Sequence, residues 1–151
     1  MVDDPRYRTK DWLDTYLDQG NITKDDDTPA KFIVVYAEAD YPMVKVFKSG
    51  DKNIDVIYAT SKPETTPVYG HDKTLIHYRE VVPITISTIT KTNVDGTKTL
   101  WKAEAELRRV AETYPEGSLR MLTHTRDSTL KVGGDIVYSS EYLLSYVRDT
   151  T

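Results

Sequence analysis

Three histidines are the residues of this chain best suited to metal binding or proton transfer, and they are far apart in the sequence. His71 lies in a polar stretch with prolines and a glycine, whereas His77 and His124 lie in β-like stretches. A zinc site draws ligands from recognisable groupings such as HExxH, and no such grouping is present. We therefore interpret the histidines as structural or solvated, and we predict no metal site.

Asp25, Asp26 and Asp27 form the densest group of carboxylates. A calcium loop takes its ligands from alternate positions and adds a glycine and a distal glutamate, a pattern that is missing here, so we predict a solvated acidic linker. Residues 1–27 contain eight aspartates against four lysines and arginines, which accounts for the whole net charge of −4. This balance argues against DNA binding by the bulk surface, whereas lining a DNA passage without gripping the DNA stays compatible with it.

The sequence contains no recognisable nucleophile or phosphate-binding loop. Cysteine is absent, which removes disulfides and thiolate chemistry. The GxSxG, GxxxxGK[ST] and GxGxxG patterns are absent too, and Gly133-Gly134 alone predicts a turn. A carboxylate pair brought together by the fold stays open, because spacing in the chain does not fix spacing in the structure. We predict a protein that is not an enzyme and binds no cofactor.

The sequence also predicts no membrane partner. No apolar run approaches the ~20 residues that cross a bilayer. The N-terminus is acidic and lacks an apolar signal core. Together with the absence of cysteine, these features favour a cytoplasmic location.

The elements that position these residues follow the order helix, strands, long helix, strands. Residues 6–19 form a predicted helix whose apolar stripe either docks on a sheet or packs on a neighbouring subunit. The helix 98–114 has one apolar face, on which we place Trp101 in the core. The predicted strands are 31–37, 43–47, 53–59, 75–90, 119–126 and 136–147, with a turn at 48–51. We predict one α+β domain, 1–151: a largely antiparallel sheet with the N-terminal helix and the long mid-chain helix packed on it.

Two features interrupt the β pattern. Residues 60–74 contain two prolines and a glycine and are predicted to be the longest loop, either functional or a disordered excursion. Pro83 cannot donate to a ladder, so it marks an edge, a bulge or a break within 75–90. The closing strand is expected between 119–126 and 75–90, which leaves a free edge near Pro83 or the long loop.

The order of these features resembles that of the tail-terminator, or tail-completion, proteins of long-tailed phages and related archaeal viruses. The residues that carry the resemblance are Tyr41-Pro42 at a strand start, the helix 100–114, Gly133-Gly134 and the closing stretch Tyr138-Ser139-Ser140-Glu141. It rests on order rather than on an invariant motif. Ile136-Val137 stand where an aromatic residue is more usual in that family.

The resemblance implies a structural role without catalysis. Such proteins form a ring, commonly a hexamer, that caps the tail tube, ends its polymerisation and meets the neck or head-completion protein. DNA passes through the lumen without specific binding, and the location is the virion tail, assembled in the host cytoplasm. We place the ring contacts on the long loop, at the edge expected near Pro83 and on the mid-chain helix. The residues are Lys62, Glu64, Tyr69, His71, Pro83, Arg108 and Arg109.

Two alternatives stay open. A head–tail connector, or neck protein, of the same virion shares small α+β folds and ring assembly. A cytoplasmic small-molecule-binding or enzymatic α+β domain belongs to a different class and requires a pocket instead of a ring.

Overall fold

In the part of the chain that the structure describes, a six-stranded sheet forms the frame of the fold and two helices pack on it. The computed structural model describes residues 5–24, 27–36, 54–91, 97–114 and 117–149. The helices are α1 (Pro5–Tyr16) and α2 (Thr97–Ala111), and a 3₁₀ turn spans Gln19–Asn21. The strands are β1 (Phe32–Tyr36), β2 (Val56–Thr60), β3 (Glu64–Tyr69), β4 (Leu75–Lys91), β5 (Ser118–Val132) and β6 (Asp135–Asp149). The predicted α+β class is confirmed, whereas the predicted strand 43–47 and turn 48–51 lie outside the described residues.

β4 is the strand around which the sheet is arranged. It pairs with β6 in antiparallel register from His77↔Asp149 to Lys91↔Asp135. On its other side two short strands lie end to end, β3 along the first half and β2 along the second. β1 runs parallel to β2, and β5 runs antiparallel to β6. The closing strand β6 therefore lies between β4 and β5, as predicted.

Pro83 lies where β4 changes partners, between the end of β2 at Thr60 and the start of β3 at Glu64. The Ser61 N–H donates to the Pro83 carbonyl at 3.3 Å, so this carbonyl faces the β2–β3 junction. The N–H and C=O groups of a strand residue point to the same side of the strand. The nitrogen of Pro83, which has no hydrogen to donate, therefore also points at the junction and not at β6. A free edge was expected near Pro83 or the long loop. Pro83 is not at an edge, because β4 continues past it with β6 on its other side. The predicted loop does contain an edge, because β3 pairs only with β4 among the described residues.

The main core lies between one face of the sheet and both helices. Leu13 of α1 and Leu107 of α2 are fully buried in it. The central strands contribute alternate residues to this face, namely Val82, Ile84, Ile86, Tyr142, Leu144 and Tyr146. Truncation of a buried leucine to alanine costs ~2–5 kcal/mol, so each helix is fixed to the sheet by its own apolar stripe.

Residues 60–74 are a strand and a turn, so the prediction of a long loop is wrong. β3 pairs with β4 from Glu64↔Val81 to Tyr69↔Leu75. The Gly70 N–H then donates to the Thr74 carbonyl at 2.9 Å and closes the turn. Pro67 made this stretch look like a loop. An edge strand accommodates a proline, however, and β3 has one unpaired side among the described residues.

Trp101 is 68% exposed, so the prediction that it belongs to the core is wrong. Ala103, Leu107 and Val110 form the buried stripe of α2. Trp101 precedes Leu107 by six positions, which at ~100° per residue places it about 120° round the helix. The apolar face inferred from the sequence was therefore too wide.

Gly117 joins the end of α2 to the start of β5. Its φ is 71°, a left-handed conformation that favours glycine. A Cβ at this position would also overlap the backbone carbonyl of Val147 in β6. A glycine at this position thus allows close approach of the chain to the sheet directly after α2.

Candidate assembly interface

β5 forms an edge of the sheet, because among the described residues it pairs only with β6. Its side chains are exposed wherever they are described, apart from a half-buried Leu122. An edge strand presents a row of N–H and C=O groups to any chain that can pair with it. The strand predicted from the sequence ends at Arg126, whereas β5 continues through Asp127 to Val132.

The direction of the β5 backbone groups follows from Pro83. Because the Pro83 carbonyl faces away from β6, the pair Pro83↔Leu143 exchanges no hydrogen bonds, and the Leu143 groups face β5. Residues two apart along a strand face the same side, so Glu141 also faces β5. The Thr125 hydroxyl donates to the Glu141 carbonyl at 3.1 Å, in agreement with this direction.

The same alternation continues to the Gly133-Gly134 turn. Ser128 pairs with Ser139, and Leu130 pairs with Val137, so the N–H and C=O groups of Ser128 and Leu130 face β6. The residues between them face the other way. The outward-facing backbone groups in the second half of β5 are those of Asp127, Thr129 and Lys131.

The first half of the β5 edge is protected. Register shifts between Ser118 and Met121 and between His124 and Arg126 interrupt the ladder, and such bulges hinder pairing with a further strand. Arg108 provides a second barrier. Its Nη1 donates to the Leu122 carbonyl at 3.3 Å, and its Nε donates to Glu104 at 3.0 Å. The regular stretch after Arg126 is therefore the accessible part of the edge.

A groove of about 340 Å³, which we call the α2–β5 groove, lies beside this accessible part. The exposed Trp101 and the half-buried Leu100 of α2 form one wall. Strands β5 and β6 form the floor and the other wall, and the residues include His124, Asp127, Thr129, Tyr138 and Ser140. A side chain from a strand added to β5 would meet this mixed apolar and polar surface.

His124, Asp127 and Ser140 meet in the groove. The Ser140 hydroxyl donates to Asp127 Oδ1 at 2.6 Å, and His124 Nε2 lies 2.8 Å from the same oxygen. The hydrogen bonds from Ser140 and then His124 hold the pKa of Asp127 below its usual value. A nucleophilic triad requires the serine to bond the histidine. Here both bond the carboxylate, so the arrangement fixes the bulge of β5 and does not activate Ser140.

Arg109, predicted as an interface residue, is held within the subunit. Its Nε and Nη2 donate to Glu106 at 2.7 Å each, and Nη2 also donates to the Tyr16 carbonyl at 3.2 Å. Glu106 additionally accepts from the Asp18 N–H at 2.6 Å and from Asn21 at 3.0 Å. Burial would raise the pKa of Glu106, but these hydrogen bonds, led by Arg109, hold it below its usual value.

The remaining predicted residues surround β3. Tyr69 is 60% exposed, and His71 is exposed in the turn that follows it. Lys62 lines a second cleft, while Glu64 begins the strand. By the same alternation, the backbone nitrogen and carbonyl of Pro67 point away from β4. Since proline has no N–H, the outer side of β3 lacks a hydrogen-bond donor at its centre.

Pro83 lies in β4, and the other predicted interface residues form two groups. Lys62, Glu64, Tyr69 and His71 lie at β3, whereas Arg108 and Arg109 lie on α2. Two strands separate β3 from β5, a distance of about 14 Å at ~4.8 Å per strand spacing. The sequence missed Trp101, Asp127 and Thr129. One signal was present: residues 129–132 lead into a two-glycine turn, which is typical of a hairpin.

Neither a metal centre nor a membrane span is found in the part of the chain that the structure describes. No group of three His, Cys, Asp or Glu side chains there could hold a metal ion. No helix among those residues is long and apolar enough to cross a membrane. Comparison with models of protein families and with curated protein sequences gives no match to this chain.

Proposed function

We propose that this protein is a structural virion subunit that forms a ring, caps the tail tube and ends its polymerisation. The accessible half of the β5 edge is the observation that carries the proposal. Its outward-facing groups at Asp127, Thr129 and Lys131 accept a strand of the tail tube protein by β-augmentation. Main-chain hydrogen bonds supply affinity, and the α2–β5 groove selects the side chains of the added strand.

The order of the elements supports the choice of a tail-completion role. The N-terminal helix, the mid-chain helix, the two-glycine turn and the closing strand follow one another in the order on which the resemblance rests, while Tyr41-Pro42 lie outside the described residues. The proposed ring is a hexamer that presents its other face to the neck or head-completion protein. DNA passes through the lumen without specific binding, and the protein resides in the virion tail after assembly in the host cytoplasm. Catalysis is not part of this role.

Two competing functions give different results. A head–tail connector would also form rings, but these rings would bind the head-completion protein and leave tube length unchanged. The α2–β5 groove is the observation that favours a small-molecule-binding function, because a volume of about 340 Å³ lies at the lower end for ligand pockets. A monomer that binds small molecules there and ignores the tube would favour this alternative.

Thr129→Pro tests the proposal, because it removes an outward-facing N–H without removing a hydrogen bond to β6. Thr129→Ala is the matched control, since it changes the side chain and keeps the N–H. Tail tube protein is polymerised with each variant, and tube lengths are measured by electron microscopy. We expect the wild type and Thr129→Ala to stop tube growth and Thr129→Pro to allow it. Equal capping by all three would refute strand addition at β5, and capping by none would refute the tail-completion role.

A further inference from the structure

The accessible half of the β5 edge carries a charge pattern of its own. Its outward-facing residues are Asp127, Thr129 and Lys131, so this edge is acidic, neutral and then basic in chain order. All three side chains are exposed. The hydrogen bonds from Ser140 and then His124 hold the pKa of Asp127 below its usual value, which keeps this carboxylate charged at neutral pH. Any strand added here therefore meets opposite charges at the two ends of the stretch.

The side chains of this stretch lie on the side of the sheet that carries the helices. Thr129 pairs with Tyr138 of β6. Tyr142 belongs to the core between the sheet and the helices, and alternate residues of a strand share a face, so Tyr138 lies on that side too. Cross-strand partners share a face as well, which places Thr129 there together with Asp127 and Lys131, two positions away on either side. Asp127 and Thr129 accordingly line the α2–β5 groove.

This edge is complementary to itself. When two β5 strands lie antiparallel with a two-fold axis at Thr129, Asp127 of each copy lies opposite Lys131 of the other. The backbone groups of all three outward-facing residues then meet in hydrogen-bonded pairs, which gives about six main-chain hydrogen bonds, two for each pair. A closed two-fold dimer uses the same patch on both subunits, so a self-complementary patch is what it requires.

The charges select one register. Pairing centred on Asp127 would place two carboxylates directly opposite each other, and pairing centred on Lys131 would do the same with two ammonium groups. Like charges directly opposite destabilise a sheet, whereas opposite charges stabilise it. Pairing centred on Thr129 avoids both conflicts and is also the register that uses all three outward-facing residues.

The local structure fits the length of such a pair. In this register Gly133 of one copy lies opposite Thr125 of the other. Gly133 begins the turn that leads the chain away towards β6, and Thr125 is the extra residue of the bulge between His124 and Arg126. The turn of each copy therefore faces the bulge of the other, and the ladder ends at both sides without a strand that runs on unpaired.

The other face of the pair covers an exposed leucine. Leu130 is 53% exposed and faces away from the helices, because it alternates with Thr129 and Lys131. In this register it lies opposite Ser128 of the second copy. The two Leu130 residues are diagonal neighbours across the two-fold axis, about 7–8 Å apart, so their side chains can touch. Pairing thus removes apolar surface from water on one face while it joins opposite charges on the other.

We infer that two copies of this chain pair their β5 strands, antiparallel and centred on Thr129, to form a two-fold dimer with one continuous sheet. We call this contact the β5–β5 pair. Lys131 of the second copy also points to the groove side, where the exposed ring of Trp101 can receive its ammonium group in a cation–π contact.

The β5–β5 pair is a weak contact that blocks the edge. It is shorter than a standard interface, so it forms at high concentration, and a dilute subunit presents an open edge. The pair itself is independent of the proposed function. That it covers the tube-binding edge until a tube end displaces the second copy rests on that function.

Introduced cysteines test the register, because the chain has no cysteine of its own. Residue 128 of one copy and residue 130 of the other form a non-hydrogen-bonded pair with Cα atoms about 4.5 Å apart, which a disulfide can span. Two residues 128, or two residues 130, are diagonal and about 7–8 Å apart, beyond its ~7 Å limit. Ser128→Cys and Leu130→Cys are oxidised with copper phenanthroline, alone and mixed, and separated on denaturing gels without reductant.

We expect the mixture to give a cross-linked dimer and each variant alone to give several-fold less. Lys73→Cys mixed with Ser128→Cys is the control for random collision, because Lys73 is exposed in the turn after β3. Equal cross-linking in the mixture, in the single variants and in the control would overturn the register. No cross-link in the mixture at any concentration would overturn the pair.

Charge reversal tests what selects the second copy. Lys131→Glu, added to both cysteine variants, puts like charges opposite Asp127 and should lower the yield by about tenfold or more. Lys73→Glu, the same change outside the edge, should leave the yield unchanged. Combining Lys131→Glu in the Ser128→Cys copy with Asp127→Lys in the Leu130→Cys copy should restore it, since opposite charges then meet at both ends. Asp127 also holds the bulge, so circular dichroism verifies the fold, and Lys131→Glu alone decides if Asp127→Lys does not fold. A yield that ignores Lys131→Glu would overturn the inference.

The outcome is separable from that of the proposed function. Cross-links that follow the register and the charges, from a protein that fails to cap tubes, would support the β5–β5 pair and refute the tail-completion role. Capping by a protein whose mixed cysteine variants never cross-link would overturn the pair and leave the proposed function standing. An excess of short tubes should lower the yield of the mixture, and an unchanged yield during capping would refute a shared edge.

Discussion

Replacement of Glu106 by glutamine should destabilise the fold by about 3 kcal/mol, although it exchanges a single oxygen for an NH₂ group. Glu106 is 2% exposed and accepts four hydrogen bonds from Asp18, Asn21 and Arg109. Glutamine keeps one acceptor oxygen and turns an NH₂ group toward donors at the other position. Two hydrogen bonds to a charged acceptor are then lost, at ~1.5–3 kcal/mol each. Water can hydrate the half-exposed Arg109 in their place, which offsets part of the lost stability.

The assay is thermal unfolding followed by circular dichroism, with urea unfolding for the free energy. A loss of about 3 kcal/mol corresponds to a fall in Tm of roughly 6–12 °C for a domain of this size. Glu104→Gln is the matched control, because it makes the same change on the same helix at a more exposed ion pair with Arg108. That pair contributes only about 0.3–0.5 kcal/mol. Equal stability of the two variants would refute the reasoning.

The pH dependence gives an independent check. The pKa of Glu106 is lower in the folded protein than its ordinary value. A carboxyl of this kind contributes stability above its unfolded pKa of ~4.3, and the contribution is lost as pH falls through the folded pKa. The difference in unfolding free energy between wild type and Glu106→Gln should therefore be largest near neutral pH and shrink below about pH 4. If the difference in unfolding free energy grew on acidification, the pKa of Glu106 would not be lowered in the folded protein.

Two further changes test the packing. Gly117→Ala should cost more than about 2 kcal/mol, measured by urea unfolding, because φ is 71° and a Cβ would overlap the Val147 carbonyl; a neutral result would show that the chain does not approach β6 this closely. Trp101→Ala should change the unfolding free energy by less than about 0.5 kcal/mol, since the ring is 68% exposed, whereas Leu107→Ala should cost about 2–5 kcal/mol; a large Trp101 effect would mean that the ring is buried.

Periodicity was sufficient for the elements that bury a whole face. β4 was predicted because β-branched residues alternate along its second half, β6 because it is rich in apolar and aromatic residues after a glycine pair, and α2 because Ala103, Leu107 and Val110 recur at helical spacing. These patterns report burial directly, so they also located the sheet and the core. They could not place Trp101, because adjacent apolar residues on a helix widen the apparent face.

Exposed edge strands gave no such signal. β3 contains Pro67 and exposed threonines, and the second half of β5 contains the polar run Arg126-Asp127-Ser128. A strand that is solvated on both faces has no reason to alternate, so its composition resembles that of a loop. The direction of its backbone groups depends on register, which only the three-dimensional pairing defines.

Amide hydrogen exchange along β5 tests the central claim most directly. In the subunit without tube protein, the amides of Ser128 and Leu130 should exchange slowly, because they bond β6, and those of Asp127, Thr129 and Lys131 should exchange rapidly. On binding to tail tube ends, the three rapid amides should become protected while the other two change little. Uniform protection before binding, or no gain of protection on binding, would contradict an open β5 edge that receives a strand.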